Sequence, residues 1–224
     1  MPSETGRKWE RTEIVVPFLA VIRENLRYKV EEKLKQGLNI GEKDLAALCV
    51  KGDRSAMREL YNRYAARLSA LCSRYANGAE EGKDLMHDTM AKAFRKMGQF
   101  RYRGDGSLYS WLSRMAVNLA IDRLRKEGRL GVPVSKEAIP DIPDPPAEEV
   151  RSIPLPDLQA MIAALPDSKR VVFNMFCVDG FSHREIAEKL GITEKTSSST
   201  LARAKKTLSR MIGDYKKKQD GRLD

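Results

Sequence analysis

Two carboxylates and an imidazole are spaced so that they could act together in one reactive or ligand-binding site. Asp84, His87 and Asp88 occupy positions i, i+3 and i+4 of a predicted helix, so their side chains share one face. Such groups serve acid–base catalysis or bind a metal ion. No further ligands converge on them in the sequence, so we discount both chemistries. A solvated polar face, or a face that docks on a basic partner, explains the same residues.

The remaining reactive groups are scattered along the chain. Cys49, Cys72 and Cys177 lie far apart and form neither a disulfide framework nor a CxxC zinc pair. His87 and His183 have no clustered ligand partners either. We interpret all five as buried thiols and ordinary histidines in a reducing cytoplasm. The sequence predicts no metal, no cofactor and no catalytic site, so an enzyme is not expected.

Basic and aromatic residues are interleaved in the stretch that follows the acidic face. From Arg101 to Arg129 there are seven basic and three acidic residues. The aromatic residues are Phe100, Tyr102, Tyr109 and Trp111. We interpret Phe100 and Trp111 as core residues, and Tyr102 and Tyr109 as functional. The polar side of the predicted helix carries Arg114, Asn118, Asp122 and Arg125. Such a surface suits single-stranded nucleic acid, because aromatic faces stack on any base and arginines follow the backbone.

A second nucleic-acid signal lies near the C-terminus. Ser182 to Glu185 forms a capping box, Gly191 supplies a turn, and Thr193 caps a final helix. The outer face of that helix carries Lys195, Ser198, Ser199, Arg203, Lys206 and Arg210. The pattern predicts a helix-turn-helix whose second helix enters a major groove. A purely structural helical hairpin is the alternative.

Spacing of apolar residues predicts helices elsewhere and a linker between two groups of them. The predicted helices are Phe18–Gln36, two within Asp44–Ala76, one opening at Asp84, one capped by Ser107 or Ser110, Leu158–Leu165 and Asp167–Val178. The linker, Gly131 to Asp157, holds seven of the ten prolines and six acidic residues. Its composition argues against a packed domain. Extended at about 3.1 Å per residue, it could reach on the order of 80 Å.

Overall composition agrees with a polyanionic partner. The net charge is +10 and the pI is about 9.5, which indicates either nucleic-acid binding or a solubilising surface. The longest apolar run, Ile14 to Ile22, is too short to span a bilayer.

The order of these motifs resembles a known family, the bacterial RNA polymerase sigma factors of the extracytoplasmic-function group. Its opening helix is similar to Leu60–Tyr64, and its acidic docking motif is similar to Asp84–Asp88. Its −10 segment resembles Trp111-Leu112 with Asn118, Asp122 and Arg125, and its −35 helix-turn-helix resembles Glu185–Gly191 with Leu201 and Arg203-Ala204. The family usually carries valine and arginine where this chain has Ser197 and Thr200. We expect Ser197 to loosen the helix packing and Thr200 to remove one phosphate contact.

The resemblance implies an all-α protein of two small helical domains joined by a flexible, proline-rich acidic linker. Residues 1–40 would form an N-terminal extension with one helix, 41–130 the region 2 domain, 131–156 the linker, 157–216 the region 4 domain, and 217–224 a basic tail. The N-terminal extension has no assigned role.

The implied function is promoter-specific initiation together with core RNA polymerase, which carries the catalytic site. The implied polymerase-binding residues are Asp84, His87 and Asp88. The implied −10 DNA-binding residues are Tyr102, Tyr109, Arg114, Asn118 and Arg125. The implied −35 DNA-binding residues are Lys195, Ser198, Ser199, Arg203 and Lys206. Further implied partners are promoter DNA, both as duplex and as melted non-template strand, and an anti-sigma factor. The implied location is the cytoplasm at the nucleoid, without membrane insertion. The alternative is a helix-turn-helix regulator that binds duplex DNA without joining polymerase.

Overall fold

Helices account for all the regular structure of the described residues. The computed structural model describes residues 40–131 and 144–221, so the predicted helix Phe18–Gln36 lies outside it. The predicted all-α fold class is confirmed for the described residues. Among them, no helix combines the length and the apolar character that a membrane span requires.

The helices of the described residues fall into two groups. The first comprises α1 (Glu42–Val50), α2 (Arg54–Tyr75), α3 (Ala79–Lys96) and α4 (Ser107–Lys126). The second comprises α5 (Ala147–Arg151), α6 (Leu155–Ala163), α7 (Asp167–Phe173), α8 (His183–Leu190) and α9 (Glu194–Asp220). A π-helical segment, Asn174–Asp179, continues α7. Helix α3 begins at Ala79, five residues before its predicted start at Asp84. Its N-cap is Gly78, which has a positive φ of 127°.

The long helix α2 is the centre of the first domain. The Asp53 carboxylate caps it by accepting a hydrogen bond from the Ala56 amide at 2.9 Å. Its apolar stripe is buried, namely Leu60, Tyr64, Leu68, Leu71 and Tyr75. The helix packs against both α3 and α4. Burying five large side chains on one face orients the two helices that carry the candidate sites.

The start of α4 is held in a way that the sequence does not predict. Ser107 and Ser110 are helical residues, and the N-cap is Gly106, which offers no side chain. The Glu42 carboxylate accepts the Leu108 amide at 3.1 Å and the Tyr64 hydroxyl at 2.8 Å. The predicted serine cap is therefore wrong, since a carboxylate 66 residues away in the chain satisfies the helix terminus.

The second domain contains the predicted helix-turn-helix. The Ser182–Glu185 capping box is complete, and the Thr193 hydroxyl accepts the Thr196 amide at 3.0 Å. Gly191 turns the chain at φ 70°. This left-handed geometry is costly for most other residues. These three features confirm the predicted turn between α8 and α9.

Part of the linker is more ordered than its composition predicts. Residues 147–151 form the short helix α5, and Val150 and Ile153 are buried at 0% and 3% exposure. The sequence does not predict this short helix or the burial of these two side chains. Two apolar side chains among many prolines and carboxylates suffice to anchor it, because each buries most of its surface. Residues 132–143 lie outside the described part of the chain.

Candidate functional site

The acidic face of α3 is open to solvent. Asp84, His87 and Asp88 are all exposed, while Leu85, Met86 and Thr89 on the opposite side are buried. Asp88 forms an ion pair with Arg123 of α4 at 3.1 Å. The structure therefore places the three predicted docking residues together on one accessible face. Such a face can bind a basic surface of another macromolecule.

The loop before α4 presents one aromatic ring to solvent. Tyr102 is 40% exposed, and its hydroxyl donates to the Asp105 carboxylate at 3.0 Å. Tyr109 is half-buried and lies 6.3 Å from the Tyr64 ring centroid, with the Arg67 guanidinium 3.7 Å from its own centroid. The two tyrosines therefore differ, because only Tyr102 has a ring without such neighbours.

The polar side of α4 forms one continuous row. Arg114, Asn118 and Arg125 are exposed, as the helical spacing predicts. Asn118 Oδ1 accepts a hydrogen bond from Lys189 Nζ at 2.7 Å, and Arg125 Nη2 donates to the Lys189 carbonyl at 2.9 Å. Lys189 belongs to α8 of the second domain. Residues that the sequence assigns to a nucleic-acid surface thus contact the other domain.

The outer face of α9 carries the second predicted set. Lys195 and Ser198 are exposed, whereas Ser199, Arg203 and Lys206 are half-buried. Arg203 Nη1 lies 3.5 Å from Ser199 Oγ, and Lys206 Nζ lies 3.7 Å from the Asp144 carboxylate at the end of the linker. The structure brings all five residues to one helix, but it gives some of them internal partners.

The family-atypical residues of α9 face inward. Ser197 and Thr200 are 0% and 1% exposed. Ser197 Oγ lies 2.9 Å from His183 Nδ1 and ties α9 to α8, and the His183 ring stacks on Phe176 at 4.4 Å. Ser197 therefore contributes a hydrogen bond between the two helices. Thr200 is buried rather than exposed on the outer face of α9, and the two expectations about packing and phosphate contact remain predictions.

The burial of His183 predicts that acid destabilises the second domain. Burial lowers the pKa of His183, and the attraction of Glu194 only partly opposes it. Because the pKa in the folded state lies below the unfolded value of about 6.5, the unfolded chain binds protons more readily. We expect the free energy of unfolding to be highest above about pH 6.5 and to fall as the pH drops through that value. In the variant His183→Gln this part of the pH dependence should disappear in urea titrations at pH 8 and pH 5. An equal acid effect in both proteins would contradict the prediction.

The sequence does not predict a cluster of charged and hydrogen-bonding residues that lies between the two domains. Arg74, Tyr75 and Arg129 of the first domain meet Asp167 and Asp179 of the second. The sequence shows Asp179-Gly180 only as a turn. The cluster has no local pattern, because its members are about 40 to 105 residues apart in the chain.

Two helical domains, the second with a helix-turn-helix and a basic outer helix, define a DNA-binding protein of the transcription machinery. Residues 60–130 match the family Sigma-70 region 2, and residues 155–208 match the family Sigma-70, region 4. The chain belongs to the ECF RNA polymerase sigma factors, and it directs promoter-specific transcription initiation through RNA polymerase.

Two relatives of at least 30% identity support this membership along most of the chain. ECF RNA polymerase sigma factor SigM of Mycobacterium tuberculosis is 32% identical over 170 residues, covering 76% of this chain and 84% of that protein. The ECF RNA polymerase sigma-E factor of Escherichia coli is 30% identical over 179 residues, covering 72% and 89%. A solved chain from the structure of CnrH in complex with the cytosolic domain of CnrY is 21% identical, covering 77% of this chain and 97% of that chain, with a TM-score of 0.44.

Proposed function

We propose that three surfaces of this sigma factor divide the work of initiation. The acidic face of α3 binds core RNA polymerase, the loop 101–106 with α4 binds the −10 element, and α9 reads the −35 element. The observation that carries the proposal is that the three residue sets lie on separate parts of the fold, namely α3, the loop with α4, and α9, with most of the side chains exposed. The chemical step belongs to the polymerase, because the sigma factor contributes binding alone.

Docking on polymerase rests on exposed negative charge. Asp84 and Asp88 lie one helical turn apart, and both side chains are exposed to solvent. A basic polymerase surface gains charge-assisted hydrogen bonds from such a pair. His87 between them adds a further polar contact.

Capture of the −10 element rests on the exposed Tyr102 ring and the polar row of α4. Extruding one base from the duplex costs a few kcal/mol, which stacking and phosphate contacts offset. Tyr102 supplies the stacking surface, while Arg114 and Arg125 contact phosphates and Asn118 contacts a base or the backbone. Tyr109 contributes once Arg67 moves from its ring.

Reading of the −35 element rests on the outer face of α9. Ser198, Ser199 and Arg203 face base edges, while Lys195 and Lys206 hold phosphates. Promoter DNA, as duplex and as melted non-template strand, is therefore a partner, and the family resemblance adds an anti-sigma factor. We place the protein in the cytoplasm at the nucleoid, where these partners meet.

Transcription in vitro on a fragmented genome tests the proposal. With core polymerase the wild-type protein is expected to start transcripts at a discrete set of promoters. The variant Arg203→Ala should bind −35 duplexes more weakly by about 1–3 kcal/mol and lose selectivity at one base position. The matched control Lys217→Ala removes an exposed basic charge at the far end of α9 and should keep the same promoter set. Unchanged affinity and selectivity of Arg203→Ala would refute the assigned helix face.

A helix-turn-helix regulator that does not join polymerase is the rival class. It would bind the same duplexes without capturing core polymerase. Retention of core polymerase on the immobilised chain, and its loss in Asp84→Ala/Asp88→Ala, decides between the two classes.

A further inference from the structure

A cavity lies between the two domains, beside the N-terminal half of α4. Its volume is about 550 Å³, which is within the range of sites that hold small molecules. The first domain lines it with side chains of α2 and α4, and the second domain lines it with residues 178–181 and one residue of α8. A molecule in this cavity would therefore contact both domains.

The lining of the cavity carries an excess of positive charge. Its charged residues are Arg67, Arg74, Arg114, Asp179 and Glu185. Both oxygens of the Asp179 carboxylate already accept hydrogen bonds from side chains of α2, one of them from Arg74 at 2.6 Å. The Glu185 carboxylate accepts a backbone amide at 2.8 Å within the capping box. Both carboxylates are therefore engaged, whereas Arg67 and Arg114 form no ion pair with any described residue.

The Arg67 guanidinium is held in place without a hydrogen bond. It lies 3.7 Å from the centroid of the Tyr109 ring, and no acceptor pairs with it among the described residues. A guanidinium has five N–H donors in one plane, so stacking on an aromatic ring covers a face and leaves the donor edge available. The stacked group therefore offers a fixed fork of donors, and such a fork matches two oxygens of a phosphate.

Three polar atoms of the lining residues are buried and have no partner. They are Arg67 Nε, Arg74 Nε and Ser113 Oγ, which make no hydrogen bond to any described residue. Buried polar groups in proteins are nearly always hydrogen-bonded, because an unsatisfied group costs its full desolvation penalty. All three atoms can donate a hydrogen bond. A ligand that is rich in acceptor oxygens would satisfy donors of this kind.

Apolar side chains form the rest of the lining. They are Leu71, Val117, Val178 and Phe181, beside the Tyr109 ring. Leu71 and Val117 are 1% exposed, and Phe181 is half-buried. Apolar surface next to a few convergent polar groups is the usual lining of a small-molecule site. The donors alone fit an inorganic phosphate, and the donors together with the apolar side chains fit a phosphate ester.

We propose that this cavity binds the phosphoryl group of a small molecule, with Arg67 and Ser113 as the main donors. Inorganic pyrophosphate and nucleotides share this group, which carries negative charge and three acceptor oxygens. Neither residue belongs to the polymerase-binding, −10 or −35 sets of the proposed function, so the site is additional to them. Because residues of both domains line the cavity, a bound ligand stabilises the contact between the domains.

Isothermal titration calorimetry of the full chain measures the binding, in a phosphate-free buffer of low ionic strength. The probes are pyrophosphate, ADP and adenosine. Pyrophosphate and ADP are expected to bind, whereas adenosine lacks the phosphoryl group and should bind at least about tenfold more weakly than ADP. Tighter binding of ADP than of pyrophosphate would identify a nucleotide as the source of the phosphoryl group, and equal affinities would identify the free anion.

Variants of the first domain test the two donors. Arg67→Ala is expected to weaken pyrophosphate binding about tenfold or more, because a charged hydrogen bond is lost, and Ser113→Ala about threefold. Arg67→Lys should recover only part of the affinity, since an ammonium group lacks the planar fork. The matched control Arg58→Ala removes an exposed arginine of α2 that does not line the cavity, and it should change the affinity less than about twofold. Circular dichroism should show equal helicity in all these proteins.

A variant of the second domain tests whether both domains form the site. Glu185→Gln removes a negative charge that repels an anion in the cavity, and glutamine can still complete the capping box. Pyrophosphate binding is expected to tighten about threefold in this variant. A residue that only caps α8 would leave the affinity unchanged.

Four other results would each overturn the inference. Pyrophosphate and ADP that do not bind at millimolar concentration would show that the cavity takes no phosphoryl group. Equal weakening by Arg58→Ala and Arg67→Ala would assign the binding to net charge, and an unchanged affinity in Glu185→Gln would place the anion outside the cavity. Arg67-dependent binding of a single-stranded oligonucleotide, without binding of either small probe, would assign Arg67 to DNA. The titrations with small probes contain neither polymerase nor promoter, so their outcome does not depend on the proposed function.

Discussion

Removing the carboxylates of Asp84 and Asp88 together is expected to weaken the binding of core RNA polymerase by roughly 3 kcal/mol, or about 100-fold. Both side chains are exposed on α3, where a basic partner can reach them. Asp88 already pairs with Arg123 at 3.1 Å, so its loss also frees a cation close to the interface. The Arg123 guanidinium would then repel the basic surface of polymerase, which weakens the binding further.

The docking prediction is measured by titrating labelled sigma factor with core polymerase. The matched control is Asp44→Ala, an exposed carboxylate in the first turn of α1, which should bind polymerase like the wild type. Circular dichroism should show equal helicity in all three proteins, because both substituted side chains of α3 are solvent-exposed. Unchanged polymerase binding by the double variant would show that the docking surface lies elsewhere on the protein.

Replacing Arg170 by alanine is expected to lower the free energy of unfolding of the second domain by about 3 kcal/mol. Arg170 is 4% exposed, and burial lowers its pKa although Asp167 opposes the shift. Its guanidinium donates to the Ala163 carbonyl at 2.8 Å, to Asp167 and to Asn77. The alanine variant leaves a carbonyl at the end of α6 and part of a carboxylate without partners, which costs more than the lost contacts alone.

Urea denaturation followed by circular dichroism measures this loss, and hydrogen exchange of the amides in α6 and α7 locates it. The control Arg184→Ala removes an exposed arginine of α8 and should change stability by less than about 0.5 kcal/mol. Arg170→Lys should also destabilise, since an ammonium group cannot match the planar fork of donors. Equal stability of Arg170→Ala and the wild type would show that the buried contacts contribute nothing net.

Helix positions and exposed faces could be predicted from local pattern. The stripe from Leu60 to Tyr75 is buried, the capping box at Ser182 is formed, and Arg114, Asn118 and Arg125 are exposed on α4. These features depend on residues three or four positions apart, which a helix brings together whatever the rest of the chain does.

The caps and contacts that depend on distant residues could not be predicted. Glu42 rather than a serine satisfies the start of α4, and Ser197 forms a hydrogen bond with His183. In each case a polar group finds a partner far away in the chain. Spacing within a helix contains no information about such a partner.

The sequence by itself determined the all-α class, the helix-turn-helix, and the acidic and basic helix faces. These follow from helical periodicity, capping residues and charge, which act over a few residues. Only the tertiary structure decided that Asp179 meets Arg74 and Tyr75, and that Lys189 lies on Asn118 and Arg125. Those contacts depend on how two folded surfaces fit together. Such a fit is set by shape and by buried charge, and no local pattern in the chain specifies it.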